Sequence, residues 1–503
     1  MTRSRASGLA QEPVQGIRRS LASRRWPERL RSKLRHRLRQ VGLAPLALAL
    51  VLGGCQQSGR ILGQGPDELP LPEGISVAFN QRQDHHYRSP INRQWRNGDD
   101  LEAFVVERIQ AARQEIRVAV QELSLPSIAQ ALVEKKRQGV RVEVVLENTY
   151  SQPWSQASLA DLEPHQRRRH HQLKQLADRN HDGVLSQAER EQGDAVLILQ
   201  RGGVPMLDDT ADGSAGSGLM HHKFMVIDHR EVITGSTNFT SSCIHGDPEN
   251  ARTRGNVNHL LRLESAELAR LFDQEFATLW GDGPGGASDS RFGLGKQNGG
   301  LQTVQIGASK VSVLFAPQAK DDQAGGLVVI GNALRSARRS IDLALFVLSA
   351  QSLGDALADR QRQGVTMRVL VDPGFANRSY SEVLDLLGVA MPDRRCRIEA
   401  NNRPLAQGAE GVGSPRLPPG DKLHHKVAVI DNRTVITGSF NWSPSAAHQN
   451  DETLLLIDSP QLAAHFNREM DRLWRGAELG VSERLAHKLE RSRRRCGRGI
   501  QRG

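Results

Sequence analysis

Two segments of this 503-residue chain carry side chains suited to phosphoryl chemistry: His221-His-Lys-Phe-Met-Val-Ile-Asp228 and His424-His-Lys-Val-Ala-Val-Ile-Asp431. The apolar run after each lysine reads as a strand, and strand side chains alternate faces. His221 and Lys223 therefore share a face, as do His424 and Lys426. At the same distance beyond each Asp come Gly235-Ser236-Thr237-Asn238 and Gly438-Ser439-Phe440-Asn441. Ser236 and Asn238 again share a face, as do Ser439 and Asn441. Lysines and neutral donors can neutralise the non-bridging oxygens of a phosphate as charge develops. One imidazole can attack phosphorus while the other protonates the leaving oxygen. No cofactor is required by such a set. Asp228 and Asp431 have the opposite parity and are expected to serve the hairpin turns or to support the site from behind. His222 and His425 are expected to pack or hydrogen-bond away from it. A single His-x-Lys is usually an incidental surface pair; two copies in identical settings are not.

The elements that must position these residues occur twice. Arg113-Gln-Glu-Ile-Arg-Val-Ala-Val120 is echoed by Arg338-Arg-Ser-Ile-Asp-Leu-Ala-Leu345. Each is followed by a helical stretch ending in Arg-Gln-Gly-Val, then by a second strand, 141–146 or 367–371. Such alternation predicts parallel α/β units. Phe272 to Trp280 matches Phe466 to Trp474, and residues 281–300 form a Gly-rich segment that reads as a flexible linker. The offset between equivalent positions falls from 225 at Gly139 and Gly364 to 203 at the histidines, so about 22 residues are inserted in the first half.

The paired motifs resemble the His-x-Lys-x₄-Asp motifs of the phospholipase D superfamily, over roughly residues 75–480. The resemblance implies two duplicated phospholipase D-like α/β domains, here 75–280 and 301–480, packed about a pseudo-twofold axis with one site at their interface. It also implies a covalent phosphohistidine intermediate resolved by water or an alcohol. In that family a carboxylate shortly after the Asn commonly orients a catalytic histidine. Asn450-Asp451-Glu452 aligns with Asn256-Val257-Asn258, so only the second half has the carboxylate. Placing Glu452 beside His424 would favour the imidazolium there, leaving His221 as the neutral nucleophile.

The inserted stretch, about 165–192, contains Asp178-Arg-Asn180-His-Asp182-Gly183-Val184-Leu185-Ser186-Gln-Ala-Glu189. This spacing matches an EF-hand loop, with Asp178, Asn180, Asp182, the Val184 carbonyl, Ser186 and Glu189 as oxygen ligands for a structural Ca2+. A helix over 166–177 is expected to enter the loop, and a short one to leave it before a strand at 195–199.

Residues 1–54 carry a net charge of +10 and 484–503 of +7, so the body at 55–483 stands at −6. That balance argues against a broad non-specific DNA-binding face. The basic stretch and the apolar run 41–52 ahead of Leu52-Gly-Gly-Cys55 resemble a bacterial lipoprotein signal, with Cys55 as the lipidation site. The expectation is a membrane-anchored envelope protein, with residues 55–74 as linker and 481–503 as a basic tail. Beyond Cys55 only Cys243, Cys396 and Cys496 remain, so at least one thiol is unpaired. The first functional expectation is hydrolysis of phospholipid head groups at a membrane, with no obligatory protein partner. An endonuclease acting on nucleic acid is the alternative, followed by phosphatidyl transfer and a non-catalytic calcium-dependent binding protein.

Overall fold

The computed structural model describes residues 69–502 apart from 215, 216 and 298. The signal-like segment and Cys55 lie outside the described residues. One sheet has seven strands, in the order Ile75–Phe79, His259–Glu264, Glu231–Gly235, Lys223–Ile227, Glu115–Val120, Arg141–Leu146, Met206–Asp208. The other has nine, and its middle repeats that order: Ser309–Ala316, Glu452–Asp458, Thr434–Gly438, Lys426–Ile430, Ser340–Leu345, Thr366–Val371, Val412–Ser414. The duplication is therefore a duplication of topology. The expected parallel pairing holds only for the last three strands of each series. The His/Lys strands pair antiparallel on both sides, so the sheets are mixed.

The layers follow from which faces are apolar. Helices Ala266–Trp280 and Pro460–Trp474 contribute Phe272, Phe276, Leu462 and Phe466 to a core shared with Phe224, Phe315, Val427 and Val429 from both sheets. Phe272 meets Phe224 and Phe315 edge-on, with centroids 5.1 and 5.0 Å apart. Leu101–Ala111 and Pro126–Arg137 cover the outer face of the first sheet, and Gly326–Ser336 and Gln351–Arg362 that of the second. With apolar layers on both sides, Lys223–Ile227 and Lys426–Ile430 are buried at every position.

Three segments differ from expectation. Ala195-Val-Leu-Ile-Leu199 is helical, in Ala195–Arg201, because Asp194 caps the N–H groups of Val196 and Leu197. The segment packs on helix Pro126–Arg137, and Met206–Asp208 takes the strand position instead. The linker is anchored in the fold: Phe292 and Lys296 are buried. The C-terminal segment is not a free tail. Helix Glu483–Cys496 buries Leu485 and Leu489 in the second core, and Cys496 forms a disulfide with Cys396. Among the described residues, Cys243 is a buried free thiol.

Candidate active site

Two short β-bridges join the halves, one beside each histidine. Met220 bridges Asp451, with His221 N donating to Asp451 O at 2.9 Å and Asp451 N to Leu219 O at 2.9 Å. Val257 bridges Leu423, with His424 N donating to Val257 O at 3.1 Å and Val257 N to Lys422 O at 2.8 Å. Each bridge carries the next residue of one half against the histidine of the other. Glu452 Oε2 lies 2.7 Å from His221 Nδ1, and Asn258 Oδ1 lies 3.0 Å from His424 Nδ1.

This crossing corrects the expected pairing. Glu452 serves His221, and His424 has only an amide. The alignment of Glu452 with Asn258 was sound, but a pseudo-twofold interface exchanges partners between halves, which a linear alignment does not convey. With Glu452 ionised its oxygens can only accept, so in that state Nδ1 of His221 holds the proton and Nε2 the lone pair. Nδ1 of His424 likewise donates to the Asn258 carbonyl oxygen.

The serines stand one bond further back than expected. Ser236 Oγ donates to Asn258 Oδ1 at 2.8 Å, and Ser439 Oγ to Glu452 Oε2 at 2.6 Å. They fix the groups that fix the imidazoles. Asn450 Nδ2 adds a bond to Glu452 Oε1 at 3.3 Å. Asn238 and Asn441 behave differently: the Oδ1 atom of each is buried without a hydrogen-bond partner, and Asn238 Nδ2 donates to Gln121 Oε1 at 3.2 Å.

Both lysines are buried against uncharged acceptors. Lys223 Nζ donates to His221 O at 2.8 Å and Gln121 Oε1 at 3.4 Å; Lys426 Nζ donates to His424 O at 2.7 Å. Burial pulls Lys223 down to about 8. Burial and the neighbouring Lys223 pull Lys426 down to about 7. Burial, with both ammonium groups close by, holds His221 and His424 well below the ordinary histidine value. Burial lifts Glu452 to about 7 against the pull of Lys223. Dehydrated cations beside neutral imidazoles form a site whose electrostatics are completed by an anion.

Asp228 and Asp431 sit where their parity put them, in the turns. Asp228 accepts from the N–H groups of Arg113, Gln114 and Glu115, and Asp431 from those of Arg338, Arg339 and Ser340. The turns run through positive φ, 51° and 55° at Asp228 and His229, 53° and 56° at Asp431 and Asn432. Polar side chains tolerate that region best among non-glycine residues. Both aspartates hold the hairpins in place by these backbone contacts.

His222 and His425 fill the buried side of the strands, as their parity requires. His222 bonds Thr453 and Glu275, each at 2.9 Å; His425 bonds Glu469 at 3.1 Å and His259 at 2.9 Å. His222, Glu275 and Asp451 form a cluster of metal-binding type. Lys296 supplies the cation there, bonding Glu275 and lying 2.7 Å from Asp451. The sequence reading missed Gln121, Asn450 and Lys296. Gln121 had a signal, since it directly follows strand Glu115–Val120 as Phe346 follows the equivalent strand Ser340–Leu345. Lys296 had none.

The segment Asp178–Glu189 lies between helix Pro164–Ala177 and the short helix Gln187–Gly193. Gly183 N donates to Asp178 Oδ2 at 2.9 Å, and Val184 N to Asp182 Oδ1 at 2.7 Å. Asn180 Nδ2 donates to Asp182 Oδ2 at 2.8 Å, and Ser186 Oγ to Glu189 Oε2 at 2.7 Å.

A family model described as cardiolipin synthase, PLD-like domain, matches residues 105–280 and 330–474, one match in each half. The chain belongs to the phospholipase D superfamily. Human mitochondrial cardiolipin hydrolase is 32% identical over 142 residues, 28% of this chain and 48% of that protein. Phospholipase D of Rickettsia bellii (strain RML369-C) is 30% identical over 159 residues, 32% of this chain and 66% of that protein. The chain spans about half the length of the cardiolipin hydrolases it matches. Phosphatidylserine synthase of Haemophilus influenzae Rd KW20 shares the fold at 13% identity and a TM-score of 0.50, over 83% of this chain and 95% of its own.

Proposed function

We propose that this superfamily member cleaves phosphodiesters, with phospholipid head groups as its substrates. The observation that carries the reading is the crossed pair of histidines, each held at Nδ1 by an acceptor from the opposite half, beside two buried lysines. His221 Nε2 attacks phosphorus, and the bond to the leaving oxygen breaks as that oxygen takes a proton from His424 Nε2. Water then attacks the phosphohistidine, the P–N bond breaks, and His424 takes the proton back. His424 must be cationic for the first step, although it is held neutral in the free site. The incoming phosphate offsets the charge of Lys223 and Lys426 and so restores its affinity for a proton. Glu452 stabilises charge building on His221 and keeps its tautomer.

The leaving-group side is read from the surroundings of His424. Phe346 packs on its ring at 4.8 Å and on Phe375 at 4.5 Å, while Lys422 and Arg378 lie over those two rings. Apolar surface edged with cations suits a lipid whose departing alcohol carries a further negative charge. The names of the cardiolipin hydrolases and the phospholipase D support a lipid substrate. The same cations would serve a polynucleotide, which keeps the nuclease reading second. Catalysis is assigned to side chains alone, and a Ca2+ ion in the Asp178–Glu189 loop would stand apart from the reacting groups. The envelope location and the lipid anchor at Cys55 belong to this proposal. Vesicles of cardiolipin in phosphatidylcholine, assayed beside single-stranded DNA with His221→Ala as control, test it. Lipid turnover absent from the mutant supports the first reading; cleavage of DNA alone replaces it with the second.

A further inference from the structure

The insertion is not a remote ornament. Helix Pro164–Ala177 and the short helix Gln187–Gly193 cross closely: a Cβ placed on Gly193 would stand 2.4 Å from that of Ala177. Trp154, Leu173 and Ala177 form a small buried cluster beneath them, joined by Leu176 and Leu185. The loop between the helices is thus held at both ends. Within it Asp178 is only 8% exposed, and while its Oδ2 accepts from Gly183 N, its Oδ1 is buried with no hydrogen-bond partner. An unpaired carboxylate oxygen in a buried place is costly unless something positive completes it. Asn180, Asp182, Ser186, Glu189 and the Val184 carbonyl supply further oxygens of the kind a hard cation takes.

The adjoining face of the longer helix is fastened beside the active site. Arg169 Nε donates to Glu122 Oε1 at 2.6 Å, and its guanidinium lies 5.0 Å from the centroid of Tyr150. Glu122 follows Gln121, the residue that bonds both Lys223 and Asn238. One turn on, Gln172 Nε2 donates to Asp247 Oδ2 at 2.7 Å, and Gln175 bonds Glu249. The segment from Asp247 to Gly255 crosses to the second half, with Asn250 Nδ2 donating to Pro419 O at 3.2 Å and Arg254 N to Asp421 Oδ2 at 2.8 Å. It leads directly to Val257 and Asn258, the bridge and the partner of His424. One helix therefore bonds to two segments, one leading through Gln121 to Lys223 and one leading through Val257 and Asn258 to His424.

We propose that the Asp178–Glu189 loop binds Ca2+ and that its occupancy, by fixing helix Pro164–Ala177 against Glu122, Asp247 and Glu249, raises the activity of the phosphodiesterase site. The coupling rests on the phosphodiesterase reading above, and the calcium site does not. Glu189 is the moving part. Its carboxylate now accepts from Ser186 Oγ and from the N–H groups of Ser186 and Arg179. To bind the ion it must exchange those donors for the cation, which gives the loop two arrangements.

The test uses the full chain, stripped with EGTA and titrated with CaCl₂ by calorimetry, alongside kcat/KM on bis(p-nitrophenyl) phosphate with Ca2+ or EGTA. Saturable binding is expected on the order of 0.1–1 mM. A gain of at least about fivefold in kcat/KM is expected on binding, the lower end of typical coupling between sites. Asp178→Asn and Glu189→Gln should lose binding and stay at the EGTA level of activity, whereas Arg169→Ala should bind Ca2+ as the wild type does and lose the response. Absence of saturable binding, or binding unchanged by Asp178→Asn, overturns the site. Binding with equal kcat/KM in Ca2+ and EGTA overturns the coupling. Should the protein cleave no diester under either condition, the phosphodiesterase reading fails instead. Hydrogen exchange over 245–256 then decides the coupling: slower exchange with Ca2+ supports it, and unchanged exchange overturns it.

Discussion

The two halves place the same strand, histidine and lysine in the same topology, yet they surround them differently. His221 has a carboxylate at Nδ1 and Gln121 beside its lysine; His424 has an amide at Nδ1 and the Phe346 ring beside its lysine, 5.0 Å from Nζ. Each difference favours a distinct role. In the proposed mechanism the carboxylate stabilises His221 as it gains positive charge on bonding to phosphorus. The amide holds His424 by Nδ1–H without adding a charge, which leaves Nε2 to give and take a proton in the proposed reaction. Because partners cross the interface, a change at position 258 or 452 in one half alters the chemistry of the other. Within the duplicated frame, differences at two aligned positions, Asn258/Glu452 and Gln121/Phe346, make the site asymmetric.

The comparison can be broken at several levels. Replacing either histidine by alanine should remove turnover of a phosphodiester, by on the order of 10⁴-fold or more in kcat, because each is needed in a single shared site. Appreciable activity in either variant would mean that the halves work independently. Glu452→Gln should lower kcat by roughly a hundredfold, as expected when the group that orients a ligand or nucleophile is lost, whereas Asn258→Gln should cost less. Equal losses would remove the distinction between the histidines. The pH profile sharpens it: kcat/KM, which reports on the free enzyme, should fall as pH rises through about 7 and 8, where Lys426 and Lys223 lose their protons. The corresponding limb of kcat should lie at higher pH, since bound phosphate favours both ammonium groups. Coincident limbs would contradict the role given to the lysines. Lys296→Met leaves Glu275 and Asp451 facing each other without their cation and should cost about 3–5 kcal/mol of stability in a denaturant titration. The smallest effect is expected from Asp431→Ala, about 1–3 kcal/mol from unpaired turn N–H groups, with kcat/KM changed by less than its stability.

Much of this arrangement is legible in the chain. The strand parity that pairs His221 with Lys223 also sends Asp228 into the turn and His222 into the interior, and the structure has all of them there. The duplicated runs revealed the halves, because buried strands keep their apolar residues whichever copy they belong to. What escaped was whatever depends on contacts between distant segments. Glu452 reaches His221 only through the Met220–Asp451 bridge, and Lys296 enters a buried pocket from a stretch whose glycines suggested freedom. Ala195–Leu199 failed for another reason, since five apolar residues in a row fit a strand or a buried helix equally well and Asp194 decided the matter.

Attack on phosphorus by His221 alone is tested most directly by a denaturing alkaline quench, which preserves a histidine P–N bond, and peptide mass spectrometry of the His424→Ala variant reacting with bis(p-nitrophenyl) phosphate. That leaving group needs little protonation, and the variant lacks the base that would activate water. A p-nitrophenyl phosphate adduct should accumulate on His221. An adduct on another residue, or turnover of the ester with His221 never modified, would contradict the account.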